Sequence, residues 1–223
     1  MLKIYGVPIS VHTRKVIVTA IEKDLPFENE PVIPFDPPPG WAQLSPTGKI
    51  PVARDGEHLL RDSSVICAYL ERAYPQPALY PAAAADYARA LWYEEYADGT
   101  LFRDVVHGLF FQRVIRPGIL KQEGDTKVID AILHETLPRV FGYLEDAFGA
   151  EALGGASFAI GDVALASNLI NFHYLGYQIE PRKHPRLADS FARWLERPSI
   201  RKALAAEQPV AAAMGLDARF VQT

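Results

Sequence analysis

Apolar and polar positions change period along this chain. Leu2-Lys3-Ile4-Tyr5 is a short β-type run closed by Gly6 and Pro8. From Thr13 to Asp24, Val16, Ile17, Ala20 and Ile21 are spaced for one face of a helix, and Pro26 stops it. Phe27 to Ile33 can then form a second strand, so strand, helix and strand follow in about 30 residues, the size of a βαβ unit. A proline-rich loop runs from Pro34 to Gly40 and on to Ser45-Pro46-Thr47-Gly48. Beyond it, Pro51-Val52-Ala53-Arg54 and Glu57-His58-Leu59-Leu60 flank Asp55-Gly56. Asp-Gly between two extended runs predicts a hairpin with a type I′ turn, which needs positive φ at both central residues. Asp62 or Ser63 then caps a helix carrying Val65, Ile66, Tyr69 and Leu70, and Pro75 limits its end.

The second part has a different character. Pro75-Gln76-Pro77-Ala78-Leu79-Tyr80-Pro81 reads as a linker, and no convincing strand follows it. Helical periodicity covers Ala83 to about Val114, Asp125 to Phe148, Ile160 to Tyr174 and Pro185 to Arg197. There is no internal repeat, and the only low-complexity stretch is Ala82 to Ala85. The pattern describes a small α/β half joined to an all-helical half.

Composition narrows the function classes. The 223 residues are 49% hydrophobic and 22% charged, enough apolar side chain for real cores and no disorder signature. A formal charge of -4 argues against a dedicated nucleic-acid binder, which would show a basic patch or stripe. The single cysteine, Cys67, excludes an internal disulfide framework and a CxxC redox pair. The start lacks the apolar core of a signal peptide, and no apolar run approaches the ~18 residues of a membrane span. The expectation is a soluble, cytoplasmic protein with no membrane and no nucleic-acid partner. The six histidines show no ligand spacing, so no metal is expected.

Four motifs carry a family resemblance. They are Ser10-Val11-His12-Thr13-Arg14-Lys15-Val16, Ser45-Pro46-Thr47-Gly48-Lys49-Ile50-Pro51-Val52, Asp62-Ser63-Ser64-Val65-Ile66 before Tyr69-Leu70, and Ile160-Gly161-Asp162-Val163-Ala164-Leu165. Each alone is a weak match. In this order and at these intervals, over nearly the whole chain, the sequence resembles the soluble glutathione transferases of the serine type. The resemblance implies a thioredoxin-like glutathione-binding domain over residues 1–80. It also implies an all-helical domain over 81–223 that supplies a hydrophobic pocket and dimer contacts. Glutathione as co-substrate, a small hydrophobic electrophile and a homodimer are implied with it.

The resemblance also assigns residues, and physical chemistry agrees with several assignments. Glutathione chemistry needs a thiolate, yet a free thiol has a pKa of roughly 8.5. A hydroxyl donor at a helix N-terminus favours the charged sulfur, because backbone N–H groups and the helix dipole act in the same direction. Ser10 stands at that place; the plainer reading is a helix cap. Tyr5 is the competing hydroxyl, and Arg14 would add positive charge if it turned toward the sulfur. Ile50-Pro51 matches a cis-proline that presents the backbone of Ile50 to the cysteinyl residue, as an added strand would; a trans proline opening a strand is the alternative.

Asp62-Ser63 would hold the γ-glutamyl end, the serine and helix terminus taking its carboxylate and the acid its ammonium. Many relatives carry glutamate at the Asp62 position, and both residues also serve as simple caps. Lys49 could reach the glycyl carboxylate or stay solvated. Asp98 resembles an acid placed across a dimer interface onto the glutathione amine, against an ordinary surface carboxylate. Val106, Phe110 and Phe111 could line the electrophile pocket, or form part of a core stripe.

The usual Ser/Thr-x-x-Asp capping box reads Ala159-Ile160-Gly161-Asp162 here, so Ala159 offers no side-chain acceptor, and Ser157 is a substitute. Two rival functions share the scaffold. A thiol-transferring reductase would place a cysteine where Ser10 stands, while Cys67 lies mid-helix. A non-enzymatic interaction protein is the other.

Overall fold

The structure is a computed structural model that describes residues 1–150 and 158–222. Its first half contains β1 (Leu2–Tyr5), α1 (Val11–Glu22), β2 (Phe27–Glu30), α2 (Trp41–Leu44), β3 (Val52–Asp55), β4 (His58–Arg61) and α3 (Ser63–Ala73). Among the described residues these strands form a four-stranded sheet in the order β2-β1-β3-β4. β1 and β2 are parallel, with Leu2 opposite Phe27, while β3 runs antiparallel to β1 with Val52 opposite Tyr5. This is a thioredoxin-like arrangement.

β2 is shorter than its sequence pattern predicts. Pro31 has no N–H for the ladder, although the carbonyls of Glu30 and Val32 still accept from Gly6 and Val7. The hairpin forms with its turn displaced by one residue. Asp55 pairs with His58 as the last rung, so Gly56 and Glu57 make the loop. Only Gly56 takes a positive φ there, of 55°. Asp55 is held in the ladder while its carboxylate accepts from the Tyr69 and Tyr74 hydroxyls at 3.2 and 2.9 Å.

The helical half begins with α4 (Ala84–Glu95), which continues as wider π-type turns over Tyr96–Val106, α5 (His107–Phe110) and a second π-type stretch over Phe111–Leu120. His107 N–H donates to the Phe102 carbonyl five residues back, the spacing that defines such winding. Then come α6 (Thr126–Ala131), π-type turns over Ile132–Thr136, α7 (Leu137–Ala150), α8 (Ile160–Tyr174), α9 (Pro185–Leu195) and α10 (Pro198–Ala213). A short 3-10 turn, Arg219–Gln222, follows. The sequence pattern does not announce α10, where Pro209 interrupts an alanine-rich run.

Asp162 fills its end of the α8 cap by accepting from Ala159 N–H at 2.9 Å, and the Asp162 amide donates to the Ala159 carbonyl at 3.0 Å. Ser157 lies outside the described residues. One hydrophobic core runs through both halves, from Ile4 and Val16 through Ile66 and Leu101 to Leu165 and Leu204. A second cluster of Val32, Trp41 and Val52, with Tyr5 and Ile50 against it, sits apart from that core.

Helix α1 bonds to the helical half through its polar residues. Arg14 reaches α8 and α10, Lys15 reaches α4, and Glu22 receives Arg197 and Ser199. A buried charge is tolerated only when paired and hydrogen-bonded, so these contacts set the register between the halves.

Candidate active site

The site assembles around the first turn of α1. Ser10 is its N-cap, with φ -66° and ψ 130°. Its Oγ accepts from the Thr13 N–H at 3.5 Å, the limit of a hydrogen bond, and a hydroxyl that accepts here keeps its own proton to donate. Gly6, just after β1, lets this turn come close. A Cβ there would lie 2.5 Å from Thr13 Oγ1 and 3.2 Å from Ile50 Cβ, and φ at Gly6 is 151°. The same close approach brings Ile50 beside the turn.

The Ile50-Pro51 peptide bond is cis. Among the described residues the Ile50 N–H and carbonyl make no backbone hydrogen bond, which leaves both for a ligand. Asp62 caps α3 by accepting from the amides of Ser64 and Val65 at 2.9 and 3.4 Å. It does so with φ 73° and ψ 137°, a backbone region that residues other than glycine rarely adopt. Ser63 is buried beside it and Lys49 is exposed.

A buried ion cluster joins α3, α1 and the long helix. Lys15 Nζ donates to Ser64 Oγ and Glu94 Oε1, each at 2.9 Å, and to Asp98 Oδ2. Burial by itself would lower the Lys15 pKa, but the Asp98 and Glu94 carboxylates outweigh it and hold the ammonium well above its ordinary value. Burial acts to raise the Asp98 pKa, yet contacts with His12 and Lys15 keep its carboxyl below the ordinary value. Asp98 therefore meets two cations or potential cations of its own chain.

Two sequence expectations need correction. Arg14 does not turn toward the sulfur site. It is fully buried on the far side of α1, bonded to Glu207, the Ser167 carbonyl, Asn171 Oδ1 and the Ile9 carbonyl. Val106 is 1% exposed and packed in the main core, so it presents no surface to a ligand. Of the apolar positions read on α3, Ile66 and Leu70 are buried, while Val65 is 54% exposed.

Phe110 and Phe111 are half-buried. Tyr5 packs against Trp41 with ring centroids 6.4 Å apart, in the separate cluster with Ile50. Cys67 is buried on α3 with its sulfur 3.3 Å from Thr19 Oγ1, and burial pushes its thiol up to about 12. At neutral pH it holds no thiolate to act as a nucleophile.

Sequence reasoning missed His12, Lys15, Phe102 and His107. His12 stacks edge-on against Phe102 with centroids 4.5 Å apart. Phe102 meets His107 at 5.4 Å, and His107 stacks on Phe111 at 6.3 Å. One signal was present: four consecutive polar residues, His12 to Lys15, open a helix of only twelve. Arg14 and Lys15 are fully buried, so their partners had to lie elsewhere in the fold.

Among the described residues, no helix is long and apolar enough to cross a membrane. Residues 4–78 match the glutathione S-transferase N-terminal domain, and residues 92–197 match the glutathione S-transferase C-terminal domain. Glutathione S-transferase GstB of Escherichia coli (strain K12) is 29% identical over 210 residues, covering 91% of this chain and 97% of that protein. A solved glutathione S-transferase from Rhodospirillum rubrum F11 superposes with a TM-score of 0.84 at 25% identity, over 92% of each chain. FzlA from C. crescentus superposes with a TM-score of 0.87 over 99% of this chain and 97% of that one, and at 21% identity it speaks to the fold alone. Matched over both halves in sequence and fold, the chain belongs to the glutathione S-transferase family.

Proposed function

We propose that the protein is a glutathione transferase that stabilises the thiolate of glutathione for attack on a hydrophobic electrophile. The observation that carries this reading is that Gly6 closely approaches both Ile50 and Thr13, which lies in the turn that Ser10 caps. A hydroxyl with an uncommitted proton stands at a helix N-terminus, beside a peptide unit whose N–H and carbonyl are unused.

In this reading the Ile50 backbone pairs with the cysteinyl residue and Pro51 holds it in place. The sulfur then lies at the N-terminus of α1, where Ser10 Oγ–H and the helix dipole favour negative charge. Tyr5 is the less favoured donor, because its ring is engaged with Trp41. Asp62 and Ser63 at the α3 terminus take the γ-glutamyl end, and Lys49 reaches the glycyl carboxylate. Asp98 adds negative charge near the ammonium. An ionised carboxylate has about four acceptor sites, and Lys15 and His12 engage only part of them. The thiolate attacks the electrophile beside Phe110 and Phe111 of the long helix. No metal enters this scheme. The working assembly is a cytoplasmic homodimer.

The reductase reading is not favoured, since the chain's one cysteine is buried and protonated. Calorimetric titration with glutathione, paired with turnover of a chloronitroarene, tests the proposal. It predicts micromolar-to-millimolar binding and a rate that falls by about 10²-fold in Ser10→Ala, as when one donor to a developing charge is removed. Absence of glutathione binding in the wild-type protein would remove the enzymatic reading and leave a scaffold.

A further inference from the structure

The loop from Gly6 to Ile9 that presents Ser10 is held at both ends. At its start the Gly6 N–H donates to the Glu30 carbonyl at 2.9 Å, and the Gly6 carbonyl accepts from Asn29 Nδ2 at 3.0 Å. Within it the Val7 carbonyl accepts from the Ser10 N–H at 3.1 Å. The last peptide before the hydroxyl differs, because its carbonyl, that of Ile9, is held from the helical half. Asn171 of α8 donates Nδ2 to it at 3.1 Å, and Arg14 Nη2 adds a longer bond at 3.3 Å.

Asn171 is buried, and its partners fix which way its amide points. Arg14 has only donors, so Oδ1 faces its Nη1, at 2.8 Å, and Nδ2 is left for the Ile9 carbonyl. Arg14 is itself fixed by Glu207 and by the Ser167 carbonyl, 2.7 Å from Nη1. The amide therefore cannot turn without losing both bonds. The Ile9 carbonyl shares one rigid peptide plane with the Ser10 N–H, and that plane leads into the Ser10 Cα. Its placement sets where Ser10 Oγ–H points. A reacting group displaced by about 1 Å loses about 10²-fold in rate, and neighbours that lock its backbone prevent this.

We propose that Asn171 is a positioning residue that aims the Ser10 hydroxyl at the glutathione sulfur, so that the helical half tunes the ionisation of glutathione without touching it. This rests on the transferase reading. Two substitutions separate the donor of the amide from its acceptor. Asn171→Asp keeps the shape and an acceptor for Arg14, but sets a carboxylate oxygen against the Ile9 carbonyl oxygen. That repulsion moves the peptide, and Ser10 with it. Asn171→Leu removes the donor and brings no repelling atom. It strands no group, since the Ile9 carbonyl keeps Arg14 Nη2 and Arg14 Nη1 keeps the Ser167 carbonyl. Leucine therefore loosens the loop less than aspartate displaces it.

The test follows the ultraviolet thiolate absorbance of bound glutathione against pH in the wild type and both variants, each saturated with glutathione. The midpoint rises by about one unit in Asn171→Asp and by less in Asn171→Leu, part of the roughly one to two units carried by a hydrogen bond to a charged sulfur. Well below the midpoint, where the bound thiol is protonated, calorimetry gives the same glutathione affinity for all three, because the Ile50 and Asp62 contacts are untouched. Midpoints equal to the wild type in the folded variants overturn the proposal and make Asn171 a packing residue, while the transferase reading stands. In the wild type the Asn171 side-chain amide resonance moves with the same midpoint as the bound thiol. A resonance flat across that titration overturns the proposal even if neither variant folds. Wild-type protein that binds no glutathione removes the transferase reading itself, and this proposal with it.

Discussion

Arg14 and Glu207 meet in a buried contact between the two halves of the molecule, with the guanidinium Nε 3.1 and 3.0 Å from the two carboxylate oxygens. They are 193 positions apart in sequence. Tyr174 donates its hydroxyl to Glu207 Oε1 at 2.9 Å, and Asn171 Oδ1 accepts from Arg14 at 2.8 Å. Attraction in a dry interior offsets desolvation only when the remaining donors and acceptors are satisfied, as they are here. The pair therefore locks α1, and with it the turn of Ser10, to α8 and α10.

Removing one partner strands a charge. Glu207→Leu leaves Arg14 buried and uncompensated, and the expected loss is about 3–5 kcal/mol of unfolding free energy. Arg14→Met with Glu207→Leu recovers a large part of it, because no charge is then left alone. Urea denaturation of the wild type, the single variant and the double variant measures this order. A double variant no more stable than the single one would contradict it.

Asp62 combines two opposing local effects. Its carboxylate caps α3, while its backbone sits at φ 73°. Asp62→Asn keeps an acceptor and tolerates positive φ, so its stability stays near the wild type. Asp62→Gly loses the cap but relieves the backbone, a cost of a few tenths of a kcal/mol. Asp62→Ala loses the cap and keeps the strain, costing about 1–3 kcal/mol. Thermal midpoints should rank Asn, then Gly, then Ala. Alanine ranking above glycine would show that the positive φ carries no cost.

His173 makes stability depend on pH. Burial among Phe191, Phe172 and Phe220 lowers its pKa from 6.5 to about 4, although Asp217 acts in the opposite direction. The unfolded chain thus takes up a proton here before the folded chain does. This contribution is complete above pH 6.5 and is lost as pH falls from 6.5 toward 4, to a total on the order of 2–3 kcal/mol. In His173→Phe this part of the pH dependence disappears. Urea midpoints at pH 7 and pH 5 for both proteins measure the difference, and an identical slope in the two would contradict the assignment.

Much of the first half was legible because local chemistry determines it. Pro26 and Pro75 end helices, Gly56 permits the hairpin, and Asp62 caps the next helix whatever surrounds it. The one-residue displacement of the hairpin was not legible, since Asp55 joins the ladder opposite His58 while its carboxylate meets Tyr69 and Tyr74 of the next helix and the residue after it, contacts that no local pattern signals. Arg14 was misread for a related reason. Periodicity identifies a helix but not which neighbour a long polar side chain meets, and the partner lay in a final helix that the pattern did not announce.

The Lys15, Glu94, Asp98 and His12 cluster has the same origin, since tertiary packing alone brings those residues together. For Val106 the core stripe, the second of its two readings, is the one the packing bears out, since an apolar residue on a helix does not announce which neighbour covers it. The Ser10 cap, the cis Ile50-Pro51 bond and the Asp62 cap were readable because those motifs are short and contiguous.

The central claim concerns the ionisation of bound glutathione, and the ultraviolet thiolate absorbance of the saturated complex follows it directly. Titrated against pH in the wild type and in Ser10→Ala, this signal reports the thiol pKa in the site. A hydrogen bond to a charged group contributes about 1.5–3 kcal/mol, which is roughly one to two pKa units. The account predicts a wild-type thiol ionised near neutral pH and a midpoint raised by that amount in Ser10→Ala. A midpoint unchanged by the substitution, with glutathione still bound, would contradict it and pass the role to another hydroxyl, Tyr5 first.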